Sequence, residues 1–517
     1  MYTIRIKLLL VLALIQLSNF VVKAQSFDFF PADVDKGTSN IETYETIDDN
    51  SLIIVEKTNT KPMGLKPYLY SFENNQFSCN QIMGMKHMQV YKKFFTEGFR
   101  TVTIKGVHYR VITEYAKQKT NNHIYSLSLQ KIDLETLEDV GEAITVIDNK
   151  ETMNDGSFFF LSSGDYFAVI KSGQTGFSLM FDGEGADFFV FNANNLELLY
   201  EQSISYSSKE QSGKILEVRM NDEGKIFTIS SKSYRKEKLN SADQPIGDLA
   251  VTEISHEGVN KVDLNSERVL NVQFIGADDS SPFVSTLKVS KKNDLVSLVI
   301  VSPIDGEILD QEDITLTEFL NPKHANSTKQ FTQSLKKVDE LKITAEPSTY
   351  STYNLTTESG HTLSSYPIMI APKVMWHNNL FCTLTALVDV TGQIKWTQVS
   401  PIKEALLTLL DKNNNVHLFA NGTLNEYENG VFVGNESRGP NEQKIPVEVV
   451  LDGNSGEIVS NKAFESENIS EKYIFSVFIN AVSFNDTNGF IGMINKSING
   501  ANGLNNNVTF GHVKLVE

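Results

Sequence analysis

The residues best placed for chemistry are three acids in one short run, Asp182, Glu184 and Asp187 of FDGEGADF. Closely spaced carboxylates, with Gly183 and Gly185 letting the backbone turn tightly, supply the oxygen donors that calcium takes. The expectation is a calcium-binding loop at a blade's rim, and calcium is the one cofactor the sequence suggests. Two other runs, DKNNN at 411–415 and DGNSGE at 452–457, carry oxygen-bearing side chains at alternate positions. Neither places glycine sixth and glutamate twelfth, as an EF-hand requires. They read as tight turns in which Asp and Asn accept from nearby backbone N–H groups.

Other chemistries find no footing. The nine histidines are scattered, without the His/Cys spacings of zinc sites. Gly-x-Ser-x-Gly is absent, and no glycine-rich strand-to-helix loop is set to cradle phosphate. A glycoside hydrolase needs two opposed carboxylates at a fixed separation. With 64 acids in the chain, no pair can be singled out.

The elements that must position these residues are strands. Short runs of apolar, β-branched and aromatic residues, broken by Asn, Asp and Gly, fill the chain, and helix-period stretches are few. One unit recurs about every 60 residues: strand, polar turn, strand. FFVFNANNLELL near Asn194 is the clearest copy. Others centre on Asn74, Glu135, Glu257, Asp305, Thr391 and Asn454. A second strand pair precedes the unit, as in GSFFFLSSGDYFAVIKSG, ILEVRMNDEGKIFTISS and ALLTLLDKNNNVHLFANG. Two pairs per period predict a four-stranded blade, and a series of blades predicts one β-propeller over residues 25–517. IFSVFINAV, GFIGMI and VTFGHVKLV leave the C-terminus one strand short, while QSFDFFPA supplies a spare strand near the N-terminus. A blade built from both ends removes two free sheet edges. The expectation is therefore eight blades, with seven the alternative. A single amphipathic helix, Phe331, Leu335, Val338 and Leu341 on one face, is expected as an insertion at about 320–343.

Residues 1–24 read as a signal peptide: Arg5 and Lys7, an apolar run from Leu8 to Ile15, then Val22, Lys23 and Ala24 before cleavage at Gln25. No later run is long enough to span a membrane as a helix. The leader holds three bases and no acid, so its loss takes the formal charge from −18 to −21. Such acidity excludes nucleic acid and anionic membrane as natural partners. Cys79 and Cys382 are the only cysteines, too few for a disulfide framework, so stability must come from packing.

The runs GSFFFLSSGDYFAVI, DFFVFNANNLELLYEQSISY and VRMNDEGKIFTISSKSY, with the leader ending in Ala24-Gln25, resemble a group of exported, propeller-like proteins of Bacteroidetes bacteria. The resemblance is specific over roughly residues 155–310. It implies a propeller located in the periplasm or outside the cell, and it brings no activity. Two functional classes follow. One is a non-catalytic binding or scaffold protein that meets a protein or glycan at a propeller face. The alternative is a carbohydrate-active hydrolase or lyase whose acids come from different blades.

Overall fold

The computed structural model describes the strands and most turns between them, within residues 27–515. Outside the described residues lie 1–26, 32–40, 82–93, 174–180, 235–248, 316–353, 371–378, 433–443, 464–472, 496–507 and shorter stretches between strands. The expected helix at 320–343 falls in this set.

Eight antiparallel sheets of four to six strands follow one another along the chain. Blade 1 comprises Ile41–Asp48, Ser51–Thr58, Gly64–Glu73 and Gln76–Gln81. Blade 2 is centred on Arg100–Ile104, Val107–Lys117, His123–Asp133 and Ile144–Thr152. Blade 3 comprises Gly156–Ser163, Tyr166–Gly173, Gly185–Asn192 and Leu198–Ser205. Blade 4 runs Gln211–Met220, Ile226–Tyr234, Leu249–Ser255 and Gly258–Leu264. Blade 5 runs Val269–Ile275, Phe283–Val289, Leu295–Val301 and Ile308–Thr315. Blade 6 is Asn354–Thr356, Thr362–Ile370, Asn379–Val388 and Ile394–Ser400. Blade 7 is Leu407–Leu410, Asn415–Thr423, Lys444–Asp452 and Ile458–Ala463. In blade 8 Tyr473–Phe475 and Val482–Asn485 both pair Asn488–Asn495, which pairs Val508–Leu515. The outermost strand of blade 8 is Phe27–Pro31 from the other end of the chain, with Phe27 opposite Leu515 and Pro31 opposite Gly511. Proline is tolerated there because an edge strand can spare an N–H. The chain is an all-β, eight-bladed propeller closed by its N-terminal strand.

Packing explains why the sheets stand radially. Side chains alternate between the two faces of a strand. In Tyr166–Gly173, Phe167 and Val169 join a core shared with blade 2, while Ala168 and Ile170 join one shared with blade 4. In Gly185–Asn192, Phe189 and Phe191 face the first core, Phe188 and Val190 the second. Further seams of the same kind join blades 4 and 5, 5 and 6, and 6 and 7. Both faces of the central strands are thus buried, so they read as unbroken apolar runs. The ring closes where Phe72 of blade 1 stacks on His512 of blade 8, ring centroids 3.8 Å apart, with Phe490 edge-on at 5.3 Å. Cys79 lies in blade 1 and Cys382 in blade 6, two sheets that are not neighbours in the ring.

The turns are built as their sequences suggest. Asp411 Oδ1 accepts from the Asn413 and Asn415 N–H groups at 2.8 Å. Asp452 Oδ1 accepts from Asn454 at 2.8 Å and Ser455 at 2.9 Å. These bonds hold both carboxylates below the usual range: Asp452 mainly through its backbone donors, Asp411 through Asn415 and Asn413 against an opposing push from burial. Several turn glycines also receive a side chain from the preceding blade. A Cβ on Gly306 would lie 2.9 Å from Val262, one on Gly392 2.8 Å from Leu309, and one on Gly456 2.6 Å from Trp396. Trp396 also donates its indole N–H to the Gly453 carbonyl at 2.9 Å.

These contacts give two expected outcomes. Gly456 and Gly106 both sit at positive φ, but nothing lies near Gly106. Gly106→Ala should cost about 1 kcal/mol of backbone strain, and Gly456→Ala more, because Trp396 must also move; equal costs in denaturant titrations would remove the lock. The second concerns His512, whose burial, with a smaller push from Lys514, lowers its pKa from 6.5 to about 4. Its folded pKa lies below its unfolded one, so it stabilises above pH 6.5 and loses that contribution as pH falls toward 4. The loss should be about 3 kcal/mol. Urea midpoints against pH should show this slope in the parent and a flatter one in His512→Phe.

Candidate functional site

First strands of neighbouring blades approach one another around the ring, so these strands line the axis. Their inner edges carry backbone groups at the axis; in blade 4 Phe181–Gly183 pairs with 213–215 there, and beyond that stretch no described strand covers the edge. Between blades 4 and 5 that edge is met by side chains. Glu217 Oε2 accepts from the Phe274 N–H at 2.7 Å. Arg219 donates to the Phe274 carbonyl at 3.0 Å and to the Gly276 carbonyl at 3.2 Å. The two side chains also face each other, Nε to Oε1 3.4 Å. Burial pushes the Glu217 pKa up against the pull of Arg219 and the Phe274 N–H. With 28% of the side chain still exposed, that push is screened.

Beside this clamp a polar seam runs between blades 5 and 6. The amides of Asn271 and Gln273 are buried without a hydrogen-bond partner among protein groups. The Tyr366 hydroxyl faces Ser285, Gln273 and Ser364 without forming a well-directed bond, and burial raises its pKa. Buried amides of this kind are ordinarily met by ordered water.

A second constellation sits in blade 7. His417 Nδ1 lies 2.7 Å from Glu448 Oε1, and its Nε2 lies 3.5 Å from Asp411 Oδ2. An acid orienting an imidazole is the geometry of a general base. Here His417 is 3% exposed and Glu448 1%, so the pair is sealed and cross-links adjacent strands instead.

The predicted calcium acids are divided between two sheets. Asp182 lies in Phe181–Gly183, which pairs with the first strand of blade 4, opposite Lys214. Asp187 belongs to the third strand of blade 3, stands opposite Lys171 and accepts from the Ser203 hydroxyl at 2.8 Å. Glu184 is outside the described residues. The run is therefore largely strand, and Asp182 sits at the inner edge of a sheet rather than at a rim. Among the described residues no three His, Cys, Asp or Glu side chains gather as a metal site.

Glu217, Arg219, His417 and Glu448 were not singled out by sequence reasoning. The signal was present: each is a charged or titratable residue at a core-facing position of an otherwise apolar strand, as in ILEVRM and VEVV.

No family model matches the chain, and no curated protein does. Solved structures with similarity include the Dos1 propeller (9% identity, 52% of this chain and 59% of that one, TM-score 0.29). The chain thus spans less than two thirds of that structure. The WD40 domain of SCAP from fission yeast matches over 96% of both chains at 7% identity and TM-score 0.45. The β-propeller domain of the trilobed protease from Pyrococcus furiosus matches over 70% of this chain and 97% of its own, at 10% identity and TM-score 0.29. Strand order and ring closure define the fold here without them.

The Glu217 clamp yields a pH-resolved test. Its folded pKa lies above the unfolded 4.5, so stability falls as pH rises from 4.5 through the folded value. Glu217→Gln keeps an acceptor for Phe274 N–H and has no charge to bury, so it should gain on the parent as pH rises toward 8. Glu217→Leu leaves that N–H unmet and should lose about 1–3 kcal/mol throughout. Parallel curves for the parent and Glu217→Gln would show that the carboxylate is not penalised by burial.

Proposed function

We propose that this propeller is an exported, non-catalytic binding or scaffold protein of the periplasm or extracellular space. Its ligand, a protein or a glycan, docks on the face that carries the long connections. The observation behind this reading is the unequal build of the two faces. In a four-stranded meander the first-to-second and third-to-fourth turns share one face; the other two kinds of connection share the opposite one. On the first face the connections are short, such as 105–106, 193–197, 302–307 and 411–414. On the second they include 82–99, 235–248, 316–353, 424–443 and 496–507. Loops carried on a rigid scaffold are where binding residues concentrate. The ionised groups described near the axis are engaged by backbone, which suits a wall better than a reaction centre. Export is supported by the basic start, apolar run and small residues of 1–24.

Two measurements test these points. A glycan array and a protein-interaction screen, run beside a polysaccharide turnover screen, should give binding without turnover; cleavage of any polysaccharide would favour the hydrolase or lyase reading. Mass spectrometry of the mature protein should find Gln25, or the pyroglutamate formed from it, at the N-terminus, and an intact Met1 chain in the cytoplasm would contradict export.

A further inference from the structure

The short-turn face carries a feature that is independent of any ligand on the opposite face. Ten large aliphatic side chains are exposed among the described residues, and all lie at the third-to-fourth turn or in the fourth strand's first residues. They recur in six consecutive blades: Val140 and Ile144 in blade 2, Leu198 and Leu199 in blade 3, Val259 in blade 4. Ile304 and Ile308 follow in blade 5, Val390 in blade 6, Ile458 and Val459 in blade 7. Single exposed aliphatics are ordinary on any surface. Repetition at one place in each blade makes an arc along the outer rim.

The backbone keeps these residues outward. In blade 3 the pairing passes from Phe191–Leu198 to Val190–Tyr200, so Leu199 is an extra residue in its strand. Val459 is the extra residue at the same place in blade 7. A bulge lets two consecutive side chains face out instead of alternating. Leu198 is 51% and Val459 62% exposed as a result. The bulge also spoils the strand edge for pairing, so recognition at the rim runs through side chains.

Charge decides what these side chains would meet. In blades 3, 5 and 7 an exposed glutamate directly precedes the first aliphatic: Glu197-Leu198, Glu307-Ile308 and Glu457-Ile458. These three meet no lysine or arginine among the described residues, whereas four lysines nearby are paired with other acids and Lys412 in blade 7 stays exposed. Lys105 pairs with Asp165, Lys225 with Glu223, Lys261 with Asp263 and Lys395 with Asp389. An anionic lipid surface or a second copy of the same acidic arc would be repelled. We propose that the rim is a docking surface for a partner protein whose contact segment carries aliphatic side chains flanked by lysine or arginine. One blade offers at most two such residues, too few for a stable contact, so the partner spans several blades.

Photo-crosslinking of the full-length protein in its own cells tests this, with benzoylphenylalanine replacing Leu198, Ile308 or Ile458 singly and Asn413 as the inner-turn control. The three rim positions should capture one and the same protein, through a segment bearing aliphatic and basic residues, and Asn413 should not. A synthetic peptide of that segment should then bind at least tenfold more weakly to Leu198→Ser/Ile308→Ser/Ile458→Ser than to the parent. These positions are exposed, so the variant keeps its fold, which its melting curve checks. Capture of another copy of the chain, of lipid, of an acidic segment or of nothing would overturn the proposal, as would equal peptide affinity for parent and variant.

Discussion

The structure depends on one constraint: the central strands of a blade have two buried faces, each belonging to a different core. Phe167 and Val169 serve one neighbour while Ala168 and Ile170 serve the other. Slipping such a strand by one residue would exchange both sets and spoil two seams at once. Every blade therefore fixes the register of the next, and the series is self-consistent only when the last blade meets the first. Borrowing Phe27–Pro31 for blade 8 meets that condition without leaving a terminal sheet edge bare.

Polar groups follow from the same geometry. Radial sheets turn the first strand's inner edge to the axis; Phe181–Gly183 pairs part of that edge in blade 4, and Glu217 with Arg219 meets the blade 5 edge at Phe274 and Gly276. Further out, glycines at positive φ let each turn accept a side chain from the blade before, as Trp396 does on Gly456. Some ionised groups on the short-turn face are committed to their own turns, as Asp389, Asp411 and Asp452 are. What that face still offers a partner is the arc of aliphatic side chains and the glutamates beside them.

Much of this was legible in the sequence. The seven predicted turns at Asn74, Glu135, Asn194, Glu257, Asp305, Thr391 and Asn454 are the third-to-fourth turns of blades 1 to 7. They could be read because Asn, Asp and Gly in a tight turn are set by local bonding. The eighth blade was legible as a shortage of one strand at the C-terminus. The clamp at Glu217 was not, because its partner is backbone 57 residues away, and backbone has no signature in sequence. The strand pairing of 181–183 was hidden for a related reason. Carboxylate spacing describes a loop, but the pairing of 181–183 with 213–215 is a tertiary choice that local pattern does not contain.

The most direct test of the closed ring uses the pairing of the chain's two ends. Asp28 lies opposite Lys514 in register, and cysteines at directly paired positions are near enough to bridge. In a background with Cys79 and Cys382 changed to serine, Asp28→Cys/Lys514→Cys should oxidise in the folded state and raise unfolding stability by roughly 4 kcal/mol for so long a loop. Thiols that stay free in the folded protein would contradict a propeller closed by its N-terminal strand.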